Sequence, residues 1–125
     1  MSKFIITATD DTPYIEVDNE LGYIEFSGKS LPEDSFDFFA PVEASIKKYI
    51  SDPKKKTTIN LKLEYLNSAS QKRIIGIISL FNSFSERGFE VELNWLYPNN
   101  DEDIIDEGKE FAKMISLPMN IIPDA

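Results

Sequence analysis

The stretch LEYLNSASQKRI, residues 63–74, gathers the side chains best suited to carry a chemical switch. Ser68 offers a hydroxyl, Ser70 a second one two positions on, and Lys72 and Arg73 follow with two cations. A serine just before a helix accepts a hydrogen bond from a first-turn amide. Gln71, three positions later, completes the Ser-x-x-Gln spacing of a capping box. Capping alone therefore accounts for Ser68. The same geometry suits a phosphoserine, because a phosphoryl group adds about −1.5 to −2 charge at neutral pH. A helix amino terminus presents unpaired amides and a positive dipole end to receive it. Lys72 and Arg73 add cationic support one turn on, and Ser70 is the alternative acceptor.

Other chemistries are poorly supplied. The chain has no cysteine and no histidine, which removes disulfides, thiol nucleophiles, the usual zinc ligands, Ser/His and Cys/His pairs and any phosphohistidine relay. Asp101, Glu102, Asp103, Asp106 and Glu107 form an acidic run whose oxygens suit Mg²⁺ or Ca²⁺. A metal-dependent enzyme built on the Asp101–Asp103 cluster is thus a rival reading. The run lacks the glycine of a calcium loop, and acids in a helix's first turn offset its dipole without any metal. A receiver domain needs an aspartate where the central strand ends, but that strand ends in Glu64, Tyr65 and Leu66. The expectation is a protein without catalytic residues, cofactor or metal.

Charge narrows the partners. The net charge of −9 disfavours nucleic acid and anionic membrane as partners. Residues 1–46 sum to −8, residues 47–89 to +6 and residues 90–125 to −7. The locally basic middle is where a phosphate or an acidic partner is best tolerated. The richest apolar stretch, IIGIISLF from Ile74 to Phe81, is far shorter than the roughly 18 residues of a membrane span. The opening MSKFIITATDD lacks the features of a secretory leader, so a cytoplasmic location is expected.

The elements that must position the serine follow from periodicity. Phe4–Thr7, Tyr14–Val17 and Tyr23–Phe26 read as strands, the last two joined by the turn-rich DNELG. Phe39, Val42, Ile46, Tyr49 and Ile50 recur at helical spacing, which requires Pro41 to lie within the first turn or the helix to break there. Thr57–Tyr65 alternates, with Ile59, Leu61, Leu63 and Tyr65 on one side. Ile74, Ile77, Ile78, Phe81 and Phe84 predict a helix that runs to a left-handed cap at Gly88. A strand from Phe89 to Tyr97, a helix opening in DED and carrying Ile104 to Ile115, and a short strand Met119–Ile122 complete the chain. The order is an amino-terminal hairpin region followed by α, β, α, β, α, β: an α/β fold with a mixed central sheet, one domain over residues 1–125. Gly76 and Gly108, both mid-helix, imply close helix packing. Tyr65, Trp95 and Tyr97 are expected on the packed face, and Phe36, Phe38 or Phe39 are candidates for a docking surface.

LEYLNSASQK, with TPYIEVDNELGYIEFSGKSLPED before it and VELNWLYPNNDEDIIDEGKEF after it, resembles the SiaC family of bacterial regulatory phosphoproteins. The resemblance spans nearly the whole chain. It implies a fold like that of STAS anti-anti-sigma domains. It also implies a phosphoacceptor at Ser68, after Asn67, with Ser70 and Lys72 matching the family's motif; Asn67, Ser70, Lys72 and Arg73 would then form the surface its partners read. The implied partners are a serine/threonine kinase of the histidine-kinase-like ATPase superfamily, a PP2C-type phosphatase, and a GGDEF diguanylate cyclase. The unphosphorylated form would activate the cyclase, raising cyclic-di-GMP and favouring aggregation or biofilm formation. This chain departs from the family in carrying Ser rather than Thr at the acceptor and Ala69 where a second hydroxyl is common. An anti-anti-sigma protein, which differs only in its partner, is the alternative.

Overall fold

The alternation that begins at Thr57 generates the strand on which the whole architecture turns. The computed structural model describes residues 3–124. In chain order these form β1 Lys3–Ile6, β2 Tyr14–Asp18, β3 Tyr23–Ser30, α1 Ser35–Ile50, β4 Lys56–Leu66, α2 Ser68–Ser79, β5 Glu90–Tyr97, α3 Glu102–Ala112 and β6 Met119–Pro123. The strands lie in sequential order in one sheet. β1, β2 and β3 are antiparallel neighbours, and β3, β4, β5 and β6 run parallel. This is the mixed sheet expected from the sequence.

Each helix joins two adjacent parallel strands. Right-handed crossovers that always step in one direction place all three helices on the same face. Burial agrees: Thr57, Ile59, Leu61 and Leu63 are buried, whereas Thr58, Asn60 and Lys62 between them are not. Beneath the helices, Ile24, Phe26, Phe39, Ile46, Ile74, Ile78, Leu93, Trp95 and Phe111 belong to one continuous cluster. Burying such side chains contributes about 1.5–3 kcal/mol apiece. On the opposite face a polar ladder crosses four strands. Asn120 donates to Asn94 at 3.0 Å, Asn94 to Asn60 at 2.9 Å, Asn60 to the Tyr23 hydroxyl at 3.2 Å, and Tyr23 to Glu25 at 2.6 Å. The amides on the uncovered face are thereby satisfied.

The DNELG hairpin forms as its residues dictate. The Asp18 carboxylate accepts from the amides of Glu20 and Leu21, and Gly22 takes φ +68, a conformation that favours glycine.

Three features depart from the sequence reading. α1 runs through Pro41 in its second turn; the ring removes one amide from the ladder, and the carbonyl it would have served belongs to exposed Asp37. α2 ends at Ser79, not Gly88, because the amides of Leu80, Phe81 and Asn82 bond only three residues back, the tighter 3₁₀ pattern. The turns that follow still bury Phe81 and Phe84, and Gly88 closes them at φ +86 with the Phe89 amide on the Phe84 carbonyl. Third, Gly28 pairs with Leu63 but Lys29 pairs with Tyr65, so Glu64 is skipped. This bulge resets the alternation of β4. Tyr65 consequently leaves the packed face and is 60% exposed.

Candidate functional site

β4 delivers the chain to the rim of the sheet, and the bulge decides which side chains it presents there. Beyond Leu66 the backbone turns into α2 at Asn67, whose φ of −83 and ψ of 168 are those of a residue still outside the helix. The Asn67 Oδ1 accepts from the Ser70 amide at 2.8 Å, and its carbonyl accepts from the Gln71 amide at 2.9 Å. Asn67 is therefore the cap, and Ser68 is the first residue of the helix. This corrects the reading of Ser68 as cap, and with it the capping box: Gln71 instead directs its side-chain amide to Met114 Sδ at 3.9 Å. Asparagine and serine cap equally well, so the signal for Asn67 was present in the sequence.

Ser68 is exposed. Freed from capping, its hydroxyl stands in the first turn. The amides of Ser68 and Ala69 are among the four that an α-helix cannot satisfy internally, and neither finds a protein acceptor among the described residues. Ser70, read from sequence as a second surface hydroxyl, is 0% exposed and accepts a 2.9 Å hydrogen bond from Ser30. It belongs to the interior, not to a partner surface. No sequence signal singles out Ser30, which falls in a segment, SGKSLPED, that looks like a loop.

The two cations have different roles. Lys72 is exposed. Arg73 is tied down: its Nη2 reaches Glu43 on α1 at 2.9 Å and its guanidinium lies 5.0 Å from the centre of the Phe36 ring. Lys47 also reaches Glu43, at 3.1 Å. Its hydrogen bond is the main influence holding the Glu43 carboxyl below the ordinary carboxylate range, with Arg73 adding to it. Of the three phenylalanines considered for docking, Phe36 is 65% exposed, Phe38 half-buried and Phe39 buried.

On the other side of Gln71 lies a groove of about 680 Å³, walled by Glu64, Tyr65 and Gln71 on one side and by Ile104 with the carboxylates of Asp101, Asp103, Asp106, Glu107 and Glu110 on the other. Asp101 caps that helix through the Ile104 amide at 3.1 Å, and Glu102 and Asp103 occupy its first turn, where negative charge offsets the dipole. Burial pushes the Glu107 carboxyl up. Among the described residues no three acids are grouped as metal ligands would be.

The model of the SiaC family regulatory phosphoprotein matches residues 6–124. An uncharacterised protein of Pseudomonas aeruginosa, strain UCBPP-PA14, is 31% identical over 121 residues, covering 97% of this chain and 96% of its own. Among solved structures, SiaC of Pseudomonas aeruginosa is similar with a TM-score of 0.85 at 29% identity, over 99% of this chain and 100% of that one. The crystal structure of diguanylate cyclase SiaD in complex with its activator SiaC, from the same organism, gives a TM-score of 0.87 at 29% identity, over 97% of this chain and 99% of that one.

Proposed function

We propose that this chain, which belongs to the SiaC family of regulatory phosphoproteins, is a phosphorylation-controlled switch whose acceptor is Ser68. The family is one of regulators, so the chain acts by binding and has no catalysis of its own. The observation that carries the acceptor assignment is the contrast within one turn: Ser68 is exposed and Ser70 is buried. A transferase must reach the oxygen it modifies, and only the first of these is open to solvent.

The effector is a GGDEF diguanylate cyclase, bound and activated by the unphosphorylated form, with cyclic-di-GMP and biofilm formation downstream. The likeness to the SiaC bound by SiaD supports this reading. A serine/threonine kinase of the histidine-kinase-like ATPase superfamily adds the phosphate and a PP2C-type phosphatase removes it. The domain is a single STAS-like unit acting in the cytoplasm; none of the described helices is long and apolar enough to cross a membrane. Phosphorylation adds roughly −1.5 to −2 charge to an exposed rim. That rim also carries exposed Tyr65, three residues before the acceptor, and aromatic side chains dominate interface energetics. The added charge thus falls where a partner would pack, and it changes binding without unfolding the sheet.

Phosphopeptide mass spectrometry of the protein from its native cell tests the acceptor. Ser68→Ala is expected to lose the label and keep cyclase binding, while Ser68→Glu weakens binding. Labelling that persists in Ser68→Ala moves the site. A cyclase whose activity is unchanged by the added chain removes the effector assignment.

A further inference from the structure

We infer that Ser30 is the positioning residue of the acceptor turn, its hydroxyl holding the 67–70 backbone so that Ser68 alone of the two serines faces solvent. This rests on the phosphoswitch reading for what the turn does. Ser30, the last residue of β3, is 0% exposed. Its carbonyl accepts from the Asn67 amide at 3.1 Å, and its Oγ donates to Ser70 Oγ at 2.9 Å. Asn67 Oδ1 accepts from the Ser70 amide at 2.8 Å. Three hydrogen bonds thus close a ring through Ser30, Ser70 and Asn67.

The bulge makes that ring possible. By skipping Glu64 it sets Ser30 opposite Leu66 instead of Tyr65, which brings the end of β3 level with the entrance to α2. Ser30 keeps the inward parity of Ile24 and Phe26, so its hydroxyl points beneath the helices toward Ser70. A buried hydroxyl deprived of its partner carries an uncompensated desolvation cost. Removing the Ser30 hydroxyl leaves the Ser70 oxygen short of a donor in a dry setting, and the remedy is for the turn to open toward water. An open turn presents two hydroxyls, two residues apart. The choice between them is therefore set by Ser30, which itself never touches the phosphate.

Full-length wild type, Ser30→Ala and Ser70→Ala are compared by amide hydrogen exchange and by phosphopeptide mass spectrometry from the native cell. In Ser30→Ala the hydrogen-bonded amides of the turn, those of Asn67, Ser70 and Gln71, are expected to exchange about tenfold faster, with the centre of β4 unchanged. Phosphate, confined to Ser68 in wild type, then appears on Ser70 as well, and Ser68 occupancy falls several-fold. Ser70→Ala, which removes the same bond from its other end, reproduces the exchange change. A uniform loss of stability would speed exchange throughout the sheet and leave the choice of serine untouched, and that result overturns the inference. Unchanged exchange at Asn67, Ser70 and Gln71 overturns it too, as does phosphate on Ser68 alone at wild-type occupancy in Ser30→Ala. Wild type without phosphate on Ser68 refutes the phosphoswitch reading instead, and the exchange measurement alone then decides whether Ser30 holds the turn.

Discussion

Gly108 of α3 lies against the indole of Trp95 so closely that a β-carbon would come within 2.6 Å of Cδ1 and Nε1. The ring has no room to retreat: it is fully buried and donates its N–H to the Ile104 carbonyl at 3.0 Å. The glycine lets α3 sit down on the sheet.

Gly108→Ala gains about 1 kcal/mol in helix propensity but overpacks the core, which costs about 1–3 kcal/mol. A net loss of stability is expected, read as a lower Tm in the fluorescence of Trp95, the one tryptophan of the chain. Gly76 in α2 is exposed, and an added β-carbon meets nothing within 4 Å. Gly76→Ala should raise stability by about 0.5–1 kcal/mol. Equal responses at the two glycines would contradict the packing described.

The contrast between these glycines shows where sequence legibility ends. Both sit in helices and look alike from periodicity, and only the docking of α3 on Trp95 separates them. The strands, the parallel order and the rim that carries Ser68 were readable, because period-2 alternation and helical spacing report burial directly. The bulge at Glu64 was not, since no glycine or proline within LEYL marks a skipped residue. Alternation alone therefore assigns Tyr65 to the packed face, which it leaves in the structure. The Ser30–Ser70 pair was hidden for a related reason, as it spans forty residues and depends on that bulge for its alignment.

Arg73 stabilises the α1–α2 contact through Glu43 and Phe36. Partly exposed ion pairs contribute about 0.2–1 kcal/mol and exposed cation–π contacts about 0.5–1 kcal/mol. Arg73→Ala should cost about 1 kcal/mol in urea denaturation. Arg73→Lys should recover less than half of that, because the flat guanidinium both stacks and bonds. Full recovery with lysine would mean that charge alone matters.

Tyr14 and Tyr23 give the uncovered face an alkaline limit. The hydrogen bond to Glu16, aided by burial, raises the Tyr14 hydroxyl from its ordinary 10.0 to about 12. Burial, followed by the hydrogen bond to Glu25, raises that of Tyr23 to about 12 as well. A raised folded-state pKa contributes stability that is complete below the unfolded value and is lost as pH rises through the folded one. Stability should therefore hold to about pH 10 and fall toward pH 12. Tyr23→Phe should flatten the fall, as followed by circular dichroism. An identical alkaline profile in the variant would show that Tyr23 is not responsible.

Glu107 works in the same direction at the acid end. Burial raises its carboxyl, so the folded state favours the protonated form and loses stability as pH climbs through the carboxylate range. Glu107→Gln should be more stable than wild type at neutral pH, and the difference should vanish near pH 4, at about the ordinary carboxylate value. A variant advantage that persists in acid would point to packing instead of charge.

The last test separates the effect of charge on α2 from its effect on partners. α1 and α3 are capped by Asp34 and Asp101 and carry acids in their first turns, whereas α2 is capped by neutral Asn67 and has none. Negative charge near a helix amino terminus contributes about 0.3–1 kcal/mol at low ionic strength. Ser68→Asp should therefore raise Tm slightly, and the gain should shrink as salt is added. If the same variant also loses affinity for the cyclase, the loss cannot come from unfolding and must arise at the interface. A Ser68→Asp chain that is less stable than wild type would undermine the placement of this serine in the first turn of α2, and with it the physical basis for a phosphate there.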